Sequence, residues 1–119
     1  MKSLHRTKSL AAYAGARITL KEGLPYPSYM LLKEAARGVL SYIAEDILEQ
    51  DISEKTKLSR LLELIDVENF DEKIIKDIEK LVEAENRGLN AILTMDVNEL
   101  MEVKRSVKTL IADHLKEPI

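Results

Sequence analysis

Hydrophobic residues recur every three or four positions along most of this chain, and most densely between Pro25 and Gln50. In that stretch they form two adjoining stripes, which consist of Met30, Leu31, Leu32, Ala35, Ala36, Val39, Leu40, Ile43, Ala44, Ile47 and Leu48. A helix that lies on a protein surface needs only one such stripe. The pattern therefore predicts a central helix that its neighbours cover on most sides.

One narrow polar strip interrupts the apolar surface of this central helix. Its members follow one another at helical spacings of three or four residues, and they are Glu34, Arg37, Gly38, Ser41 and Glu45. We expect the strip to face either water or a partner. A glycine in the strip would also let a second helix approach closely.

The segment before the central helix also has a helical pattern, from about Ser3 to Glu22. Its core positions are expected to be Leu4, Leu10, Ala11, Ala14 and Ile18. Gly23 follows where a left-handed residue commonly ends a helix. Pro25 favours an extended residue before it, and Pro27 suits the first position of the central helix.

Two helices are predicted in the middle of the chain after the central one. Ser53 is expected to cap a helix from about Glu54 to Ile65. Asn69 and Glu72 have the spacing of a capping box that opens the next helix. The core positions of that next helix are expected to be Ile74, Ile75, Ile78, Leu81 and Val82.

Gly88 leaves two alternatives for the end of that helix. Either the helix stops there and residues 89–95 form a tight connection, or it continues to Leu93. A last helix is expected from Asp96 to about Leu115, ending before Pro118. Its core positions are expected to be Leu100, Val103, Val107, Leu110, Ile111 and His114.

Strand signals are almost absent, since the chain has one phenylalanine, no tryptophan and no alternating run bounded by turns. No repeat or linker divides it. The sequence therefore predicts one all-α domain over residues 1–119, an antiparallel bundle of about four to five helices.

Composition limits the cysteine chemistry and the cellular location that we expect for the protein. Cysteine is absent, which removes disulfides and thiolate metal sites and permits a reducing compartment. No apolar run approaches the roughly 20 residues that span a bilayer, and Arg17 interrupts the first stretch. We expect a soluble, cytoplasmic protein without a signal peptide or membrane contact.

Charge is distributed unevenly along the chain. Residues 1–43 carry 7 Lys or Arg against 2 Asp or Glu, residues 44–86 carry 6 against 14, and residues 87–119 carry 5 against 5. A basic first third beside an acidic middle could steer a partner, although solvated helix faces of both signs are the more ordinary interpretation. The net charge of −3 does not favour general binding to nucleic acid.

Motifs for catalysis are missing. His5 and His114 are the only histidines and form no pair with metal-ligand spacing, and the four glycines form no phosphate loop. The serines are explained by helix caps and surfaces. We therefore predict no catalytic residue, no metal site and no cofactor.

Arg37 is the strongest binding candidate because it lies in the middle of the polar strip. It either pairs with a glutamate of the same face or lines a cleft or symmetric interface, where its guanidinium could grip a phosphate. Tyr26, Tyr29 and Tyr42 either stack on a base or pack at the helix edge. Asn86 and Arg87 are a second candidate pair. The candidate residues are thus Glu34, Arg37, Ser41, Tyr42, Glu45, Asn86 and Arg87.

Several segments together resemble the HEPN domain family. They are the spacing Ala11-x-x-Ala14, the connection KEGLPYPSY, the pair Ala35-Ala36 followed by Leu40, the segment KLSRLLELI and the last amphipathic helix. The resemblance implies two long antiparallel helices with shorter ones beside them, and a homodimer. It also implies metal-independent RNA cleavage through an Arg-x-x-x-x-His motif, in some members beside a nucleotidyltransferase as toxin and antitoxin.

The histidine of that motif is replaced in this chain. Matching the motif arginine to Arg87 puts Ile92 at the histidine position, and matching it to Arg37 puts Tyr42 there. Isoleucine cannot transfer a proton, and tyrosine, with a pKa near 10, is a poor base at neutral pH. We therefore expect a non-catalytic HEPN-like binding and dimerisation module for a nucleotide, RNA or partner protein. The alternatives are a metal-independent RNA endonuclease with a rewired site and an orphan helical scaffold.

Overall fold

Two long helices form the frame of the molecule, seen in a computed structural model that describes residues 1–117. Helix α1 spans Lys2–Lys21 and helix α2 spans Pro25–Leu48. The Ser9 hydroxyl donates to the Ala35 carbonyl near the middle of the pair, and Thr19 contacts Ser28 close to the turn that joins the helices. The two helices are therefore antiparallel.

The turn between them follows the glycine and proline positions. Gly23 adopts φ +70°, and its N–H donates to Leu20 while the next N–H donates to Thr19, which closes the C-terminus of α1. Leu24 is extended, as the proline after it predicts. Helix α2 begins two residues earlier than expected, at Pro25, because neither proline of its first turn needs a backbone N–H there.

The prediction of a covered central helix is confirmed. Every residue from Ala35 to Ser41 is buried, and α2 contacts α1 and most of the later helices. Two of the apolar positions are exceptions, since Met30 and Ile47 are 36% and 52% exposed. The covered surface of α2 therefore includes most of its polar strip as well as its apolar stripes.

The remaining helices pack around α2. They are α3 at Leu58–Leu64, α4 at Glu72–Arg87, α5 at Leu89–Leu93 and α6 at Val97–Leu110, with a 3₁₀ turn at Val67–Asn69 and a π turn at Ile111–Leu115. Residues 1–117 contain no strand, so the all-α prediction is confirmed for them. The last helical turn ends at Leu115, before the left-handed Lys116, as expected.

Two predicted helix starts are wrong. Helix α3 begins at Leu58 rather than Glu54, because residues 54–57 carry no apolar side chain to pack and form a turn that the Ser53 hydroxyl closes. Helix α4 is capped by Asp71 rather than Asn69, since the Asp71 carboxylate accepts a hydrogen bond from the Lys73 N–H at 2.8 Å.

Gly88 ends α4, so the alternative of a continuous helix is wrong. Its φ of +99° is a conformation that L residues rarely adopt. The connection after it contains the short helix α5, and Asp96 then caps α6 through the Asn98 N–H at 2.8 Å, as predicted. His114 is half-buried at the edge of the core, with its ring centroid 5.5 Å from that of Phe70.

The face that α1 turns to the core differs most from expectation. The expected core residues Leu4, Ala11, Ala14 and Ile18 are exposed, and α1 instead buries His5, Ser9, Ala12, Tyr13, Ala16 and Leu20. Small side chains on this face let α1 and α2 approach closely, and the polar ones find hydrogen bonds. Hydrophobicity alone missed the face because two of its members are polar.

A buried carboxylate between α4 and α6 was also missed. Asp77 is 1% exposed, and it accepts hydrogen bonds from the Ser106 hydroxyl at 2.6 Å and from Lys73 Nζ at 3.1 Å. Lys80 Nζ lies 3.2 Å from its second oxygen. Burial raises the pKa of Asp77, but these donors outweigh burial and hold the pKa below its ordinary value.

Asp77 should make folding sensitive to acid. A carboxylate whose pKa is depressed in the folded state stabilises that state above the unfolded pKa of about 3.9, and this stabilisation is lost as the pH falls through the lower folded pKa. We expect Asp77→Asn to lower the free energy of unfolding by about 1–3 kcal/mol at pH 6. In urea titrations the gap to wild type should narrow at pH 3, and a constant or wider gap would contradict this assignment.

Candidate functional site

The polar strip of α2 divides between the interior and a cleft. Gly38 lies against α1, where an added Cβ would come within 2.8 Å of the His5 carbonyl oxygen and of the Ser9 Cβ. The predicted role of Gly38 in close helix approach is thus confirmed, and the second helix is α1 of the same chain. Ser41 is fully buried.

Glu45 is the last residue of the strip and is buried. Its Oε2 accepts hydrogen bonds from the Ile52 N–H at 2.7 Å and from His5 Nε2 at 3.1 Å. His5 Nε2 also lies 2.9 Å from the Ile52 carbonyl oxygen, which only accepts, so Nε2 carries the proton. These bonds hold the segment after α2 against the strip, so Glu45 has a structural role.

Arg37 stands where the strip opens to the surface. Arg37 as a whole is 8% exposed. The Glu34 carboxylate accepts from Arg37 Nε at 3.3 Å and from Nη2 at 2.7 Å, and the hydrogen bond from Arg37 lowers the pKa of Glu34. Arg37 Nη1 is buried and has no hydrogen-bond partner among the described residues, and the same holds for the Ser41 hydroxyl. Glu34 thus fixes one edge of the guanidinium, and the Nη1 donor is left without a partner.

A cleft of about 200 Å³ lies beside Arg37, between α2, the segment before α3 and the end of α4. Its charged lining consists of Lys33, Glu34, Arg37, Glu54, Lys55, Lys57 and Glu85. Each of the three carboxylates already contacts a cation: Arg37 for Glu34, Lys8 for Glu54 and Lys33 for Glu85. Lys55 and Lys57 form no ion pair within the part of the chain that the structure describes.

The other candidate residues lie elsewhere. Tyr42 is half-buried, with Lys2 Nζ 4.6 Å from its ring centroid, and it lines a separate groove with His114. Asn86 and Arg87 are exposed, and Arg87 pairs with Glu83 at 2.6 Å. The structure thus brings Glu34, Arg37 and Ser41 together on one face and separates Arg87 from them.

Ile92 and Arg87, the pair that the resemblance matches to a histidine and an arginine, differ in burial. Ile92 is 8% exposed and belongs to the hydrophobic core, whereas Arg87, five residues earlier, points from the surface. Arg87 lines a groove between α4 and the following helices, and Arg37 lines the cleft described above. Neither cleft includes a histidine among its lining residues.

The uneven charge of the chain is largely neutralised within the fold. Lys2 pairs with Asp46, Lys8 with Glu54 and Lys33 with Glu85, so three cations of the basic first third meet acids of the middle third. An exception is a cationic cluster on α1 and α6, formed by Arg17, Lys21, Lys104, Arg105 and Lys108, of which Arg105 pairs with Glu102. Burial, followed by the other four cations, lowers the pKa of Lys104.

Within residues 1–117, no three His, Cys, Asp or Glu side chains are arranged to hold a metal ion. The helices in the same part of the chain are too short or too polar to cross a membrane. No family model, curated protein or solved structure matches the chain.

Proposed function

We propose that this chain is a non-catalytic, HEPN-like helical module of the cytoplasm that binds a phosphate-bearing ligand, a nucleotide or an RNA, beside Arg37. The observation that carries the proposal is the buried guanidinium of a cleft-lining arginine whose Nη1 has no hydrogen-bond partner among the described residues. An unpaired buried donor costs about 1–3 kcal/mol, and a ligand oxygen that reaches Nη1 through a small movement of the side chains over it would recover that cost.

The geometry of Arg37 favours phosphate. Glu34 holds Nε and Nη2, so the planar guanidinium is oriented before a ligand arrives and loses little freedom on binding. Arginine forms short, charge-assisted hydrogen bonds with phosphate oxygens. Lys55 and Lys57 add two cations without an ion-pair partner in the described chain, and they offset the negative charge of a phosphate.

The size of the cleft limits the size of the ligand group that fits inside it. Sites for drug-sized ligands usually measure about 300–1,000 Å³, and this cleft measures about 200 Å³. It therefore suits one phosphate group, with the sugar and base of a nucleotide, or the neighbouring residues of an RNA, lying on the surface outside.

The same cleft is poorly equipped for catalysis. A general base works best with a pKa near the operating pH. The pKa of Glu34 is lowered by the hydrogen bond from Arg37, and that of Glu54 by the hydrogen bond from Lys8. Both carboxylates are weaker bases than free glutamate, which supports a binding function over the endonuclease alternative.

The proposed partners follow from the family resemblance. A homodimer and a nucleotidyltransferase-type partner, in a toxin–antitoxin-like pair, remain part of this proposal. Gly38, Ser41 and Glu45 are buried within the same protomer, so the polar strip of α2 does not provide the symmetric surface that the sequence suggested. A dimer has to use another face.

Titration calorimetry with AMP, ATP, inorganic phosphate and a short single-stranded RNA tests the proposed ligand. We expect wild type to bind at least one of them and Arg37→Gln to bind it at least about tenfold more weakly, a loss of roughly 1.4 kcal/mol. Arg37→Lys should also lose affinity, because it keeps the charge but lacks the planar fork.

Arg87→Gln is the matched control, since Arg87 pairs with a glutamate of its own helix outside the cleft, and its affinity should equal that of wild type. If no ligand produces heat or raises the melting temperature, the chain is a scaffold and the proposal is wrong. Equal affinity of wild type and Arg37→Gln would place the ligand elsewhere, and cleavage of the RNA by wild type would favour the endonuclease alternative.

A further inference from the structure

The outward face of α1 is apolar although nothing in the described chain covers it. It contains Leu4, Thr7, Ala11, Ala14 and Ile18, and Leu4 and Ile18 are 40% and 60% exposed. The positions alternate in steps of four and three residues, which is the spacing of a coiled-coil seam. We call these five residues the α1 outer face.

Charged residues avoid this face. Lys8 and Arg17 are exposed at its margins, whereas the positions between Leu4 and Ile18 on the face itself are Thr7, Ala11 and Ala14. The buried side of α1 is already occupied by α2 and α6. The helix therefore has a second apolar side that the fold of one protomer does not use.

The α1 outer face is complementary to itself about its centre. Leu4 and Ile18 each lie seven residues from Ala11. A two-fold axis beside Ala11 would therefore place Leu4 of one protomer against Ile18 of a second copy at both ends, with Ala11 against Ala11 in the middle. Small residues at the centre let the helix backbones approach, and the larger ones close the ends.

Charge favours the antiparallel arrangement over the parallel one. Near the start of α1, Lys2, Arg6 and Lys8 are paired with Asp46, Glu117 and Glu54 of the same protomer. Near its end, Arg17 and Lys21 form no ion pair with a described residue. A parallel pair sets these two cations against their own copies, whereas an antiparallel pair sets them near the neutralised start of α1.

We propose that the α1 outer face is a homodimer interface in which α1 packs antiparallel against α1 of a second copy. This names the surface for the dimer in the proposed function, but it rests on residues outside the Arg37 cleft. Leu4 to Ile18 spans about 21 Å of helix, and such a face is smaller than the roughly 800 Å² per partner of a standard stable complex. We therefore expect a weak dimer that dissociates on dilution.

Sedimentation velocity from micromolar to near-millimolar concentration measures the association. Wild type should form a concentration-dependent dimer, and Ile18→Glu should raise its dissociation constant at least about tenfold, because each dimer would bury two charges. Ile47→Glu is the matched control, since Ile47 is 52% exposed on α2, and its dissociation constant should not change. Wild type that stays monomeric throughout, or equal effects of the two variants, would overturn the proposal.

Cysteine cross-linking tests the antiparallel orientation without adding a charge to the α1 outer face. The chain has no cysteine, so a single Ala11→Cys should form a disulfide-linked dimer, and Ile47→Cys should not. A mixture of Leu4→Cys and Ile18→Cys chains, tagged to differ in mass, should give mainly the mixed dimer, because a disulfide needs Cβ atoms about 3.5–4.5 Å apart. Mainly Leu4–Leu4 and Ile18–Ile18 products, or equal linking of Ile47→Cys, would overturn it. If the chain dimerises through α1 but binds no ligand at Arg37, only the proposed function is contradicted.

Discussion

Gly38→Ala is expected to lower the free energy of unfolding by about 2 kcal/mol or more, although alanine is the better helix former. The new Cβ would lie 2.8 Å from the His5 carbonyl oxygen and 3.1 Å from the Ser9 Cα. Both are backbone atoms, so α1 itself has to shift. That shift would strain the hydrogen bonds that Ser9 and His5 make across the helix pair.

Gly15→Ala is the matched control because it also lies on the contact between α1 and α2. There the nearest atom to an added Cβ is the tip of the Leu31 side chain, at 3.0 Å, and a leucine tip can move at little cost. The gain of about 1 kcal/mol from alanine in a helix should then leave stability unchanged or raised. Urea unfolding measures both variants. Equal stabilities of the two would contradict the close contact at Gly38.

Glu45→Ala should destabilise the protein by about 3 kcal/mol. The Ile52 N–H and the His5 imidazole would both lose the buried carboxylate that accepts their hydrogen bonds. Because Ile52 anchors the segment that leads to Lys55 and Lys57, we also expect faster amide exchange across residues 51–57. Thermal unfolding and hydrogen exchange measure the two effects.

Asp46→Ala is the neighbouring control. Asp46 is exposed, and among the described residues it pairs only with Lys2 at the surface, where ion pairs contribute about 0–1 kcal/mol. We expect its stability to lie within about 0.5 kcal/mol of wild type. If Glu45→Ala proves as mild as Asp46→Ala, the segment after α2 is not held by Glu45.

Local sequence signals predicted the helix ends at which a single residue determines the backbone conformation. Gly23 and Gly88 end helices with positive φ, and Asp96 caps α6. The central position of α2 followed from its two apolar stripes. In contrast, the spacing of Asn69 and Glu72 predicts a cap at Asn69, but Asp71 competes for the same role and is one residue before the helix.

Packing between helices was harder to predict, because it depends on shape as well as on hydrophobicity. The true core face of α1 repeats His5, Ser9, Ala12 and Ala16 at helical spacing, so small size was the signal that could have revealed it. Asp77 is buried in α4 because Ser106 lies opposite on α6, and a residue 29 positions away cannot be read from local pattern.

The candidate site was predicted in part. The strip position of Arg37 followed from helical spacing, and of the two glutamates on that face, Glu34 and Glu45, it is Glu34 that pairs with it. Lys55 and Lys57 were missed because they reach the cleft through the segment after α2, which was expected to be helical from Glu54. Glu45 was grouped with the site because the sequence does not reveal that His5 and Ile52 enclose it.

Binding of a phosphate group by Arg37 is tested most directly by NMR of the arginine side chains during titration with AMP. The chain has six arginines, and single Arg→Lys variants assign their Nε signals. We expect the Arg37 signal to shift and saturate, while those of Arg60, Arg87 and Arg105 stay in place. An Arg37 signal that does not move as AMP is added, or equal shifts at all four arginines, would contradict a phosphate site in this cleft.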